Sequence, residues 1–379
     1  TSAGMNVLLL GPVPTPAVGL LTNSMRADLG IMISASHNEH NDNGIKFFGP
    51  DGYKLSDSVE VEIEALVSKG VDCVSPENIG RAKRIDDGRY RYIERVKSSF
   101  PNQMRLDGLK VVIDCANGAG YRAAPEVLWE LGAEVVPVGV SPNGRNINLE
   151  CGSTSPRVAA EMVVAHGADV AICLDGDADR VLVIDEQGCP IDGDHFLGMI
   201  GSRWQKEDIL VEKTLVATVM SNMHLETFLN REGIKLVRTA VGDRYVVEQM
   251  RFNGFNLGGE KSGHVVMTDY STTGDGLMAG LQFLAEMVRR GEPASAVGRP
   301  FDLAPQKTEN IIYASEKNPL DNPSVKKMIS ESEKKISGLG RLIVRKSGTE
   351  RLIRIMVEAE DISMIDATIS SIRNAIKEL

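Results

Sequence analysis

Strand-length apolar runs alternate with segments of helical period along most of this chain, and no other feature limits its fold so tightly. "NVLLLG" precedes "PAVGLLTNSM", "KVVIDCANG" precedes "RAAPEVLWELG", and "ADVAICLDG" follows "SPRVAAEMVVAHG". Short runs with no polar face bury both sides, and the amphipathic stretches joined to them supply the cover, so the pattern predicts βα units in a mostly parallel sheet. Such sheets bind ligands in the loops at the carboxyl ends of their strands. Function is therefore sought in polar loops that follow apolar strands.

An internal echo supports more than one such sheet. Ala27-Asp28-Leu29-Gly30-Ile31-Met32-Ile33 matches Ala168-Asp169-Val170-Ala171-Ile172-Cys173-Leu174 in pattern, and "FNLGGEKSGHVVMTD" reads as a fainter third copy. In each, a strand opens into a polar loop and a second strand follows, and equivalence would set Ser36 in the place of Asp177. With 379 residues the chain exceeds one ordinary core. The expected fold class is α/β, with three related mixed-sheet α/β domains at 1–91, 92–189 and 190–301 and a smaller C-terminal α+β domain at 302–379 around a central cleft. For the last, "LIVRKSGTERLIRIMVEAED" predicts two strands about a glycine turn, and "SMIDATISSIRNAIKEL" an amphipathic helix.

Composition excludes several classes of function. A formal net charge of −10, with Lys and Arg scattered among a surplus of carboxylates, argues against a nucleic-acid partner. No apolar run approaches the roughly 20 residues that span a bilayer, so no membrane partner is expected. Five cysteines without a C-x-x-C pair predict buried thiols in a reducing cytoplasm rather than a disulfide framework. The chain opens at Thr1 and enters a strand-like run almost at once, which suggests sequence missing upstream.

The strongest local signal is "LDGDADR", residues 174 to 180, with Asp175, Asp177 and Asp179 at alternate positions. Three carboxylates converging in one tight loop make a hard-oxygen site suited to Mg²⁺, and crowded after a buried strand they are costly without a cation. Arg180 would balance residual negative charge. Ser36, in "ISASHNEHNDNG", has four readings: a plain polar turn, a hydrolase nucleophile, part of a zinc site with His37 and His40, or a phosphorylated serine. The G-x-S-x-G elbow of hydrolases is absent, and two histidines offer zinc no third ligand. A phosphoserine beside a divalent cation is chemically coherent, because the metal neutralises and polarises the phosphate. "RKSGTER", residues 345 to 351, offers Arg345, the hydroxyls of Ser347 and Thr349 and the flexible backbone of Gly348, with Arg354 on the next strand, as a phosphate clamp. "GGEKSGH" sets Glu260 and Ser262 between glycines, a carboxylate and hydroxyl suited to sugar hydroxyls or an amine.

"SASHN", "DGDADR", "GEKSGH" and "RKSGTE" stand in the order found in the α-D-phosphohexomutase family, which the chain resembles over essentially its whole length. "DNGIKFFGPDGYKL" and "YSTTGDGL" resemble its glucosamine branch more than its phosphomannomutase/phosphoglucomutase branch. The resemblance implies an isomerase of the phosphohexomutase type, an intramolecular phosphotransferase. It would interconvert glucosamine 6-phosphate and glucosamine 1-phosphate through a sugar 1,6-bisphosphate, feeding UDP-N-acetylglucosamine and peptidoglycan precursors. It implies that Ser36 is a phosphoserine holding Mg²⁺ together with Asp175, Asp177 and Asp179. Glu260 and Ser262 would read the sugar, and Arg345, Ser347, Gly348 and Thr349 would grip the phosphate not being transferred. Lys46 and His264 resemble family residues beside the transferring group, as acid, base or charge stabiliser, with His37 and Arg180 in support; an exposed strand lysine is the plain alternative for Lys46. A homodimer in the cytoplasm is implied as well. The sequence departs from the family where Glu39, Lys346 and Arg351 stand in place of prolines, and it lacks the family's opening strand and "TDGIRG"-like loop. The alternatives are a phosphoglucomutase/phosphomannomutase, a Mg²⁺-dependent sugar phosphatase and a non-catalytic sugar-phosphate binding protein.

Overall fold

The computed structural model describes every residue except 71, 314–317, 347–350, 378 and 379. The chain divides into two compact units, one of residues 1–220 with 232–300 and the other of 221–231 with 301–379.

In the larger unit the most apolar run forms the strand that sequence pattern predicts. Val170–Leu174 is buried at every position, and it lies between Lys110–Asp114, to which it is parallel, and Val181–Asp185, to which it is antiparallel. Glu134–Val138 and Pro190–Ile191 complete a five-stranded mixed sheet. The helix Arg157–His166 ends at Gly167, whose left-handed conformation turns the chain back into this strand. It buries Ala159 and Val163 against Val112, Ala171 and Cys173 on one face. On the other face lies the helix Gly276–Arg290, buried from Gly276 to Met287 and capped by Asp275, which accepts a hydrogen bond from the Met278 amide.

A second mixed sheet runs Lys235–Thr239, Thr214–Thr218, Leu257–Gly259, Val265–Met267, with only the last strand antiparallel. Gly30–Ile33 pairs antiparallel with Ile45–Phe48, and Val7–Leu9 pairs parallel with Ala82–Arg84. All three copies of the sequence echo thus share one arrangement: strand, polar loop, antiparallel strand. Ser36 and Asp177 each stand three residues beyond the end of their first strand, at Ile33 and Leu174.

The smaller unit is an antiparallel sheet of Gln306–Ile312, Leu352–Ala359 and Gly340–Lys346, with Leu352–Ala359 in the centre. Alternation along that central strand points Ile353, Ile355 and Val357 to one core. They meet Ile365, Ile369, Ile372 and Ile376 of the helix Ile362–Lys377, whose spacing of four and three puts them on a single stripe. Of the five cysteines, Cys115, Cys151 and Cys173 are buried, Cys73 and Cys189 are exposed, and all are free thiols. No helix among the described residues is long and apolar enough to cross a membrane.

Candidate active site

The three polar hairpin loops of the larger unit meet. Asp175, Asp177 and Asp179 are fully or almost fully buried, and each places a carboxylate oxygen within 4.8 Å of the others'. The loop holds its shape through its own backbone: the Ala178 amide donates to the Asp175 carbonyl, and the Arg180 amide to Asp175 Oδ1 at 3.1 Å. Its middle is pressed against neighbours so tightly that a Cβ on Gly176 would lie 2.7 Å from the Ser36 carbonyl oxygen.

Asp177 faces the first turn of the helix Thr15–Ser24, whose N-terminal partial positive charge favours a carboxylate. The Thr15 hydroxyl donates to Asp177 Oδ2 at 2.7 Å and the Thr15 amide to the Asp177 carbonyl at 2.9 Å. Lys46, on the return strand of the first hairpin, donates to Asp177 Oδ2 and, at 3.0 Å, to Asp179 Oδ2, with 19% of its side chain exposed. It is therefore an ion-paired residue of the site rather than a solvated strand lysine. Burial alone would lower its pKa, but Asp179 and Asp177 outweigh burial and hold the ammonium protonated well above the usual range.

Ser36 adopts a left-handed backbone conformation, φ 56°, which a serine enters only when the surroundings dictate it. The Ser36 amide donates to Ser34 Oγ at 2.9 Å, and Asn148 Nδ2 donates to the carbonyls of Ser36 and Asn38 at 2.9 and 2.7 Å. So held, the hydroxyl donates to Asp175 Oδ2 at 3.0 Å. His37, half-buried beside it, has its pKa lowered by burial and by Arg180. Arg180 approaches Asp179 Oδ1 at 4.0 Å.

The third loop contributes His264, 2% exposed, with Nε2 3.9 Å from Asp179 Oδ2 and 3.6 Å from Asp243 Oδ2. Burial lowers its pKa more than Asp179 and Asp243 raise it, so the imidazole is held neutral. Neither ring nitrogen has a hydrogen-bond partner among the described residues. Glu260 Oε1 accepts from the Gly242 amide at 3.1 Å, and Ser262 is exposed at the tip of the loop. Gly263 has φ +88°, and a Cβ there would stand 2.0 Å from the Val181 carbonyl oxygen, while the Val181 amide donates to the Gly263 carbonyl at 3.1 Å. Gly263→Ala is accordingly expected to force this loop off the aspartate loop, lowering the thermal midpoint by several degrees and the activity with it; an unchanged melting curve would refute the reading.

The aspartates fit a divalent cation. They are hard oxygen donors, and Oδ1 of Asp177 and Oδ1 of Asp179 are buried with no hydrogen-bond partner among the described residues. Burial, then Asp179 and Asp177, push the Asp175 carboxyl well above the ordinary range.

Sequence reading did not single out Thr15, Lys54, Asn148 or Asp243. Lys54 pairs with Asp243 beside His264, and Asp243 opens the helix Asp243–Asn253. A polar "GDR" soon after the strand Lys235–Thr239 was the available signal. In the smaller unit Arg345 and Arg354 stand directly opposite across the antiparallel pair, and Arg354 Nε donates to Asn310 Oδ1 at 2.9 Å. Burial and Arg354 lower the Arg345 pKa. Ser347, Gly348 and Thr349 lie outside the described residues.

Four family models match the chain, described as phosphoglucomutase/phosphomannomutase alpha/beta/alpha domain I at residues 1–72, domain II at 90–188, domain III at 192–300 and the C-terminal domain at 309–375. Among curated relatives, the phosphoglucosamine mutase of Ruegeria sp. (strain TM1040) is 65% identical over 377 residues, covering 100% of this chain and 84% of that protein. Among solved structures, a phosphoglucomutase/phosphomannomutase family protein from Burkholderia thailandensis has the same fold, with a TM-score of 0.80 at 22% identity, covering 100% of this chain and 84% of that one. So does the Aspergillus fumigatus N-acetylphosphoglucosamine mutase, solved in complex with GlcNAc-6P and magnesium, with a TM-score of 0.72 at 20% identity over 96% of this chain and 92% of that one.

Proposed function

We propose a function on the premise that this chain belongs to the phosphoglucomutase/phosphomannomutase family, in its phosphoglucosamine mutase branch. It interconverts glucosamine 6-phosphate and glucosamine 1-phosphate, with Ser36 as the phosphoryl carrier. The observation that carries this reading is the approach of the Ser36 hydroxyl to Asp175 in a loop whose strained backbone exists to present it.

The chemistry divides among the residues of the three loops. Asp175, Asp177 and Asp179 would hold Mg²⁺, which would supply neutralisation of charge on the transferring phosphoryl oxygens. In the first transfer the bond from phosphorus to Ser36 Oγ breaks, that oxygen taking up a proton from solvent to become the free hydroxyl, and a bond to O1 of glucosamine 6-phosphate forms. His264, neutral and with neither ring nitrogen hydrogen-bonded among the described residues, takes the proton of the attacking hydroxyl. Lys46 stays charged and faces the negative charge that builds on the phosphoryl group. The resulting 1,6-bisphosphate turns over, and its 6-phosphate returns to Ser36, leaving glucosamine 1-phosphate. Glu260 and Ser262 read the sugar in both orientations. Arg345 and Arg354, like charges opposed on one sheet face, call for an anion between them, and they hold the phosphate that is not transferred.

Incubation with glucose 1,6-bisphosphate and Mg²⁺ is expected to add one phosphate, confined to the Ser36 peptide in a digest read by mass spectrometry. Phosphate on another residue, or on none while isomer still forms, would refute the assignment of Ser36. Release of free phosphate without isomer product would favour the phosphatase.

A further inference from the structure

Nothing in the site as described tells an amino sugar from glucose, since Glu260 and Ser262 would serve hydroxyl groups as well as an amine. We propose that Asp243 reads the 2-ammonium group of the substrate and so determines specificity. This deepens the proposed function and rests on it.

Position is the first argument. Asp243 Oδ2 lies 3.6 Å from His264 Nε2, which lies 3.9 Å from the metal-site carboxylate of Asp179. On its other side, the residue before it donates its amide to Glu260 at 3.1 Å. The carboxylate therefore stands between the transfer centre and the sugar reader, where a sugar presenting O1 to Ser36 would bring the ring carbon next to C1. Chemistry is the second. An ammonium group needs an ionised acceptor, and both polar neighbours of Asp243, the Lys54 ammonium and the His264 imidazole, lie against Oδ2. That leaves Oδ1, on a side chain 29% exposed, to meet a ligand. Rigidity is the third. Asp243 opens a helix fastened to the 51–57 segment by Arg244 pairing with Asp57, by Arg251 pairing with Asp51 at 2.8 Å, and by Arg251 stacked 3.8 Å over the Tyr53 ring. A specificity group mounted on a fixed helix start discriminates better than one on a free loop.

The placement makes the contact directional. When O1 faces Ser36 the neighbouring carbon is C2, which carries the amine. When O6 faces Ser36 the neighbouring carbon is C5, which carries none. Asp243 thus meets the ammonium of glucosamine 6-phosphate and not that of glucosamine 1-phosphate.

The test is titration calorimetry of the full protein with Mg²⁺, using glucosamine 6-phosphate, glucose 6-phosphate and glucosamine 1-phosphate. The parent is expected to bind glucosamine 6-phosphate more tightly than glucose 6-phosphate. Asp243→Asn is expected to lose about tenfold more affinity for the former than for the latter, as loss of a hydrogen bond to a charged group requires. Glucosamine 1-phosphate should follow glucose 6-phosphate. Lys54→Met, which removes the partner and keeps the carboxylate, should leave the preference in place. Equal losses for both 6-phosphates, or loss of the preference in Lys54→Met alone, would overturn the inference. Equal affinities in the parent overturn it without any variant. Failure of the parent to isomerise any glucosamine phosphate would instead overturn the proposed function, which separates the two.

Discussion

Ser36→Ala is expected to lower turnover by roughly 10⁴-fold or more, the loss typical when a covalent carrier is removed and only binding and charge stabilisation remain. The substitution is clean because of what it leaves behind. The loop is held by the Ser36 amide on Ser34 Oγ and by Asn148 on two carbonyls, and alanine keeps all three bonds. It occupies the left-handed region no worse than serine does. Only the bond from the hydroxyl to Asp175 is lost, so the variant should fold, bind Mg²⁺ and bind sugar phosphate while neither accepting nor donating a phosphoryl group. Steady-state assay of glucosamine 1-phosphate formation, with circular dichroism as the folding control, checks this. Turnover within tenfold of the parent would remove Ser36 from the chemistry altogether.

The parts of this molecule that sequence makes plain are those where local pattern and final environment agree. Val170–Leu174 reads as a doubly buried strand and is one, because five apolar residues in a row have no exposed face to spare. The isoleucine stripe of the C-terminal helix and the alternation in Leu352–Ala359 are equally local signals. The repeated hairpin is visible for the same reason, since each copy carries its own strand, polar loop and return strand. What escapes is set by distant partners. Ala82–Arg84 has no apolar period and is exposed throughout; it is a strand only because Val7–Leu9, far away in sequence, offers its edge. The helix Met223–Arg231 groups with the C-terminal sheet through Glu358, which accepts from the Met223 amide at 3.1 Å across 135 residues. Thr15, Asn148, Lys54 and Asp243 enter the site in the same way. Each is an unremarkable polar residue until folding sets it against Asp177, Ser36, Asp243 or His264.

Asp175→Asn is expected to act in opposite directions on the metal-free protein and on its response to Mg²⁺. Burial and the charges of Asp179 and Asp177 raise the Asp175 pKa in the folded state, so its ionised form is less comfortable there than in the unfolded chain. The sign follows by linkage: a carboxyl raised on folding costs stability progressively as pH climbs from its unfolded pKa towards its higher folded one, so the cost grows with pH above the ordinary carboxylate range. Asparagine removes the charge and keeps the oxygen that accepts the Arg180 amide, so in excess chelator the variant should melt higher than the parent. Magnesium reverses the order. At a concentration ten times the parent's dissociation constant, binding stabilises the parent by about 1.4 kcal/mol, and a variant whose affinity is about 100-fold weaker gains less than about 0.1 kcal/mol. A thermal scan with and without Mg²⁺ reads both effects in one experiment. If Asp175→Asn melts lower than the parent in chelator and still gains the parent's full increment with Mg²⁺, the three aspartates are a hydrogen-bonded turn and not a cation site.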